Sequence, residues 1–274
     1  MTDRADQPAP PIFRSGLLEG RTALITGGGT GIGFGIATEL ARYGADLCLA
    51  SRNPDHLRDA AAQLETFGRT VTTVELNVRD PEAVQQAFRH AADTLGHIDL
   101  LVNNAAGNFY APSETLSPNA WRAVVETDLY GTFYCAQAAY PYMIKQGGGR
   151  IVSISMTLHY RGWPLMAHAT AAKAGVDALT RTLAVEWAPH GITVNAIAPG
   201  PILTEGVRKA FVRPEGREAD TVSLDERLAA QIPLKRLGTP ADIGNMVTYL
   251  ASPAGAWITG AIMVVDGGSW LARV

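Results

Sequence analysis

The sequence predicts a single α/β domain of the doubly wound Rossmann type, built on a parallel seven-stranded sheet. Three observations carry this expectation. Short apolar runs alternate with helix-length segments over almost the whole of the 274 residues. The runs are nearly continuous in apolar character, as strands covered on both faces require. The first run also passes directly into a glycine-rich turn that opens a helix.

Taken in order, the predicted strands are 21–26 (RTALIT), 46–50 (DLCLA), 70–76 (TVTTVEL), 98–102 (IDLLV), 150–155 (RIVSIS), 191–197 (GITVNAI) and 261–266 (AIMVVD). Between them lie amphipathic stretches: Ile32, Ile36 and Leu40 recur every four residues, and Val84, Ala87, Phe88 and Ala91 share one helical face. Regular β-α-β alternation of this kind argues for parallel strands. The expected domain is 16–274, preceded by a flexible extension, 1–15. No composition break or linker interrupts the chain between Leu17 and Trp270. One stretch departs from the rhythm. From Pro199 to Pro233 the chain mixes Gly, Pro and charges without a period, and it reads as a substrate lid over about 200–233.

Bulk properties remove several function classes. Charged residues make up 18% and hydrophobic residues 47%, which excludes a disordered chain or a coiled coil. The net charge of −3 gives no support for a nucleic-acid partner. No apolar run approaches the ~18 residues a membrane helix needs, and the first fifteen residues lack the apolar core of a secretory signal. The last residues, Leu-Ala-Arg-Val, are not of the Ser-Lys-Leu type, so a cytoplasmic location is expected. Cys48 and Cys135 stand far apart and read as buried free thiols in a reducing compartment. The six histidines show no metal-ligand spacing, and no metal is expected.

The nucleotide site comes from the first turn. The first strand ends at Thr26 and runs into Gly27-Gly28-Gly29-Thr30-Gly31-Ile32-Gly33. Glycines at Gly27, Gly31 and Gly33 allow positive φ and close backbone approach. The helix opened by Thr30, Gly31 and Ile32 offers unpaired N–H groups and a positive dipole end to a pyrophosphate. The second strand speaks to the choice of nucleotide. An enzyme using NAD usually ends that strand in Asp or Glu to bind the ribose 2′-hydroxyl. Here the end reads Ala50-Ser51-Arg52-Asn53. A hydroxyl at Ser51 and a guanidinium at Arg52 suit a 2′-phosphate, so NADP(H) is the expected cofactor. The alternative reading of Arg52 is a solvated loop arginine.

These motifs together resemble the short-chain dehydrogenases/reductases. TGGGTGIG (Thr26 to Gly33) resembles that family's TGxxxGIG signature, Asn103 to Gly107 its NNAG segment, Pro199-Gly200 its PG turn and Asp266-Gly267-Gly268 its closing DGG. The resemblance spans Leu17 to Trp270. It implies a Rossmann domain, usually a homotetramer, with the nicotinamide near the fifth and sixth strands. It further implies cofactor contacts at Asn77, Asn104, Ala105, Lys173, Pro199 and Gly200.

The family's Ser-Tyr-Lys set and supporting Asn are altered here. Lys173 stands in Ala169-Thr170-Ala171-Ala172-Lys173, but Ala169 occupies the tyrosine position of the YxxxK motif. The serine position falls on Met156, beside Ser155, and the Asn position holds Asp128. A ketone reductase must protonate a developing alkoxide, which Ala169 cannot do. Conjugate reduction of an unsaturated thioester makes a different demand. Its enolate needs hydrogen-bond stabilisation before a carbon is protonated.

Within the family, the segments Asn103 to Phe109, Ile154 to Gly162, His168 to Trp187 and Ala198 to Lys209 resemble peroxisomal-type 2,4-dienoyl-CoA reductases. That resemblance implies NADPH-dependent reduction of a 2,4-dienoyl-CoA to a 3-enoyl-CoA. Lys173 would hold the nicotinamide ribose, and Asp128 would position a proton-donating water. Asp266 would assist, its plainer reading being a turn former. Phe109, Ser117, Asn119, Arg79 and Arg208 would contact the acyl-CoA substrate, the two arginines suiting its phosphates. Alternatives stay open: a trans-2-enoyl-CoA reductase, a carbonyl or alcohol dehydrogenase using His159 or Tyr160 as a displaced acid, or a degenerate NADP-binding module.

Overall fold

The structure is a computed structural model and describes residues 12–204 and 224–272. All seven predicted strands form: β1 (Thr22–Thr26), β2 (Asp46–Ser51), β3 (Val71–Glu75), β4 (Leu100–Asn103), β5 (Gly149–Ile154), β6 (Ile192–Pro199) and β7 (Ile262–Val265). They pair in the order β3-β2-β1-β4-β5-β6-β7, every pair parallel. The order reverses between β1 and β4. In open parallel sheets the ligand crevice lies at such a reversal, beyond the carboxyl ends of the strands.

The strand sequences explain the layering. Side chains alternate between the two faces of a strand, and both faces here are covered. Ala23 and Ile25 of β1, Leu47 and Leu49 of β2, and Val152 and Ile154 of β5 enter one core. They pack there against α1 (Gly31–Arg42), α2 (Pro54–Leu64) and a late helix, α8 (Pro240–Ala251). Leu24, Cys48 and Ile151 point the other way. They meet α3 (Pro81–Leu95), α5 (Gly131–Lys145) and the second half of α6 (Ala167–Trp187). The predicted face of α3 is the buried one, and its Phe88 is fully enclosed. Replacing such an aromatic by Ala typically costs about 3–5 kcal/mol. α1 and α8 cross closely because Gly35 lies against Pro240; a Cβ at Gly35 would come within 2.1 Å of the proline ring.

Helix starts follow their capping chemistry. Asn53 and Asp80 each accept two backbone N–H bonds at the heads of α2 and α3, with proline next in the chain. α4 (Pro118–Val125) starts at Ser117 in the same way. A π-helical turn over Glu126–Tyr130 then joins α4 to α5.

Part of the predicted extension is tied down. The Ile12 N–H donates to the Tyr43 hydroxyl at 2.8 Å, and Phe13 packs edge-on against the same ring; residues 1–11 lie outside the described residues. Most of the predicted lid, 205–223, does too. Its far end forms a helix, α7 (Leu224–Gln231), which sequence periodicity alone did not suggest. Cys48 and Cys135 are free and buried. No helix among the described residues is long and apolar enough to cross a membrane.

Candidate active site

The glycine turn after β1 sits at the reversal point, where Asn104 fixes it from the end of β4. The Asn104 side chain donates to the carbonyls of Thr26 and Gly27 at 3.0 and 3.2 Å. Its N–H and that of Ala105 both reach the Thr26 hydroxyl at 3.0 Å. Only glycine fits at Gly33, since a Cβ there would lie 2.2 Å from the Gly27 carbonyl. Gly27 and Gly31 hold φ of +66° and +56°. The head of α1 carries no acidic residue in its first turn, and the Thr30 side chain does not cap it. Its N–H groups and dipole are therefore available to an anion. At the end of β4, Asn103 is buried with its Oδ1 unpartnered. This cradle fits a dinucleotide pyrophosphate.

Ser51 ends β2 and bonds with Asn53, while Arg52 beside it stands exposed. Asn77, also exposed, follows β3 and accepts from the Arg79 N–H. Pro199 closes β6. Gly200 packs so tightly on Asp266 that a Cβ would lie 2.5 Å from the aspartate's own Cβ.

The π-helical turn has a chemical consequence. An extra residue in a helical turn re-aims side chains, and such turns favour functional sites. Here it turns Asp128 inward until it is 1% exposed. One carboxylate oxygen of Asp128 accepts the Gly107 N–H at 2.8 Å. The other lies 3.5 Å from the Lys173 ammonium, which in turn donates to the Ile154 carbonyl at 2.8 Å. Lys173 reaches this point because the first half of α6 packs on the π turn and α4. Ala169, one turn earlier, is wholly buried with Met166 and Val124.

Comparison with known proteins gives the family. The family model described as enoyl-(acyl carrier protein) reductase matches residues 27–269. A Danio rerio protein named peroxisomal 2,4-dienoyl-CoA reductase, (3E)-enoyl-CoA-producing, is 44% identical over 98% of this chain and 88% of its own. A Bacillus subtilis protein named "Probable 2,4-dienoyl-CoA reductase", (2E)-enoyl-CoA-producing, is 39% identical over 93% of this chain and 98% of its own. A crystal structure of a short chain dehydrogenase from Bacillus anthracis superposes with a TM-score of 0.83 at 39% identity, covering 94% and 99% of the two chains. The chain belongs to the short-chain dehydrogenase/reductase family. It is an oxidoreductase, and the cofactor of this family is a nicotinamide nucleotide.

For a short-chain reductase lacking the tyrosine, the neighbouring acids matter. Ser155 donates to Asp177 at 2.5 Å, and the His159 ring bonds the other oxygen of Asp177 at 2.9 Å. Tyr160 stacks edge-on against His159 and Trp270. Burial, with Asp177 adding to it, pushes its phenol up to about 12. A phenol held that high is a poor acid near neutrality. Both oxygens of Asp266 accept backbone N–H groups, from Gly268 and Trp270, which is the geometry of a turn former.

The residues expected at the substrate fall in different places. Phe109 lies against the His168 ring, with centroids 4.5 Å apart. Ser117 caps α4 and Asn119 is exposed on its first turn. Arg79 is ion-paired with Glu126, at the start of the π turn that carries Asp128. Arg208 lies outside the described residues. Sequence reasoning missed His168 and Asp177. His168 had only the signal of a lone histidine, while Asp177 stands one helical turn beyond Lys173 on the same face. A cavity of about 630 Å³ lies away from all of these, beneath the amino ends of β1, β4 and β5, and is lined by Arg21, Asp99 and Arg150 among others.

Proposed function

We propose that this chain is an NADPH-dependent reductase of 2,4-dienoyl-CoA that yields a 3-enoyl-CoA, an auxiliary step in the β-oxidation of unsaturated fatty acids. The observation that carries the reading is the buried Asp128–Lys173 pair beside Ala169. Charge-handling groups are kept where the family's tyrosine is gone.

The cofactor, when bound, supplies hydride to the distal end of the diene. Gly27, Thr30, Gly31, Ile32 and Gly33 hold its pyrophosphate, Ser51 and Arg52 its 2′-phosphate, and Asn77 its adenine. Asn104 and Ala105 border the nucleotide, Lys173 takes the nicotinamide ribose, and Pro199 and Gly200 flank the nicotinamide. Phe109, Ser117 and Asn119 line the acyl thioester, while Arg79 and Arg208 take coenzyme A phosphates. Hydride addition leaves a dienolate whose charge reaches the thioester oxygen. Asp128 holds a water by hydrogen bonding, and this water donates the proton to the α-carbon, completing the addition of H⁻ and H⁺. Asp266 assists in holding that water, since each of its oxygens accepts only one turn amide and keeps a further lone pair.

The test offers NADPH, and separately NADH, with a 2,4-dienoyl-CoA, a 2-enoyl-CoA and a 3-oxoacyl-CoA. Fast NADPH oxidation on the dienoyl substrate, with a 3-enoyl product, supports the reading. Turnover on the oxo substrate alone rejects it. The name of the matched family model favours one second reading, a trans-2-enoyl thioester reductase. Turnover confined to the 2-enoyl substrate would select it.

Assembly and location belong to the same proposal. Trp121, Tyr130, Phe133, Val264 and Leu271 are exposed large apolar residues, the kind of surface that oligomers bury. A homotetramer predicts a light-scattering mass of four times the 29.1 kDa chain. A cytoplasmic location is the sequence reading, whereas four relatives from vertebrates carry peroxisomal names. Cell fractionation decides between the two.

A further inference from the structure

His168 stands next to the vacated tyrosine position and has no use in the proton path described above. It lies in the first turn of α6 with a relative exposure of 0%. Neither ring nitrogen makes a hydrogen bond of proper geometry, although the Phe109 backbone comes close enough to favour protonation. A buried imidazole normally has at least one partner, and leaving it without one costs free energy. The Phe109 backbone is a protein group within reach, and with no well-formed bond to it the ring's single N–H stays available to a partner that arrives with the substrate. Two neighbours say where that partner sits. The Phe109 ring lies against the imidazole at 4.5 Å, and Asp128 is near enough to act on its charge.

We infer that His168 is a further catalytic residue, whose neutral ring donates an N–H hydrogen bond to the thioester oxygen as dienolate charge develops there. This rests on the proposed reduction of an unsaturated thioester. The chemistry fits a neutral imidazole. A fixed donor aimed at an oxygen that becomes anionic stabilises the transition state more than the ground state. Burial outweighs the opposing pull of the Phe109 backbone and Asp128 and lowers the ring's pKa, so the group is uncharged near neutrality. Phe109 is partly exposed and its ring lies 4.5 Å from the buried imidazole, so a thioester seated against Phe109 would come within reach of His168. Ala169 next to it is packed with Met166 and Val124 and offers no donor of its own.

The experiment compares His168→Phe, His168→Gln and His168→Ala by kcat and KM for the dienoyl-CoA, and by NADPH affinity from fluorescence titration. The expected result for H168F is unchanged NADPH affinity and melting temperature, KM within about threefold, and a kcat at least about 10²-fold lower. H168Q keeps an N–H donor and should recover at least about tenfold over H168F. A wild-type kcat in H168F would overturn the inference, since the ring would then serve packing alone. Equal losses in all three variants, tracking a lower melting temperature, would overturn it as well. Failure of the wild type on the dienoyl substrate strikes the parent reading instead. The same variants are then measured on whichever thioester is turned over, and if none is, the inference falls with that reading.

Discussion

Lys173 Nζ lies 3.5 Å from Asp128 Oδ2, and both side chains are almost entirely withdrawn from water. Removing one partner of such a pair leaves the other as an uncompensated buried charge, at a typical cost of about 3–5 kcal/mol. Asp128→Ala should therefore lower both stability and turnover, with kcat down by about 10²-fold or more. Asp128→Asn keeps an acceptor for the Gly107 N–H. It should be more stable than the Ala variant in urea yet equally slow. Wild-type turnover in D128N would remove Asp128 from the proton path.

Arg52 stands exposed after β2, next to a strand end that carries Ser51 in place of an acid. If its guanidinium binds a 2′-phosphate, the lost interaction is a charge-assisted hydrogen bond, which is stronger than a neutral one. Arg52→Ala should weaken NADPH binding by about tenfold or more and leave NADH binding unchanged. Equal effects on both cofactors would show that Arg52 does not distinguish them.

The parts of the site that were readable in the sequence are those with a local cause. Strands such as β1 and β5 appeared as apolar runs because both their faces are covered, and the glycine turn appeared because a side chain at Gly33 would strike the Gly27 carbonyl. Asp128 and Lys173 could be named, but their approach depends on the π turn, whose extra residue leaves no compositional trace. His168 and Asp177 escaped for a related reason. A buried, unpartnered ring differs from a solvated one only through its tertiary surroundings. Helix α7 was hidden because the polar, charge-rich stretch around it shows no clean apolar period.

Burial also governs the two thiols. Cys48 points from β2 into the core shared with α3, and Cys135 lies inside α5. Desolvation pushes each thiol up to about 12, so the reactive thiolate is scarce at ordinary pH. A disulfide-exchange reagent at pH 8 should label neither cysteine in the native protein and both in denaturant. Rapid native labelling would mean that one of these helices opens readily.

His168 makes stability depend on pH in a definite direction. Its folded pKa lies below the ordinary histidine value of 6.5, burial being the largest cause. The unfolded chain therefore takes up a proton in a range where the folded protein does not. Stability linked to this ring is complete above about 6.5 and is lost as pH falls towards the lower folded value. Phenylalanine at this position has no proton to bind, so His168→Phe should remove that part of the loss. Denaturant titrations from pH 8 to pH 5 should show wild type falling relative to H168F as the pH drops. A constant difference across that range would mean that the ring titrates alike in both states, and that its burial does not hold it neutral.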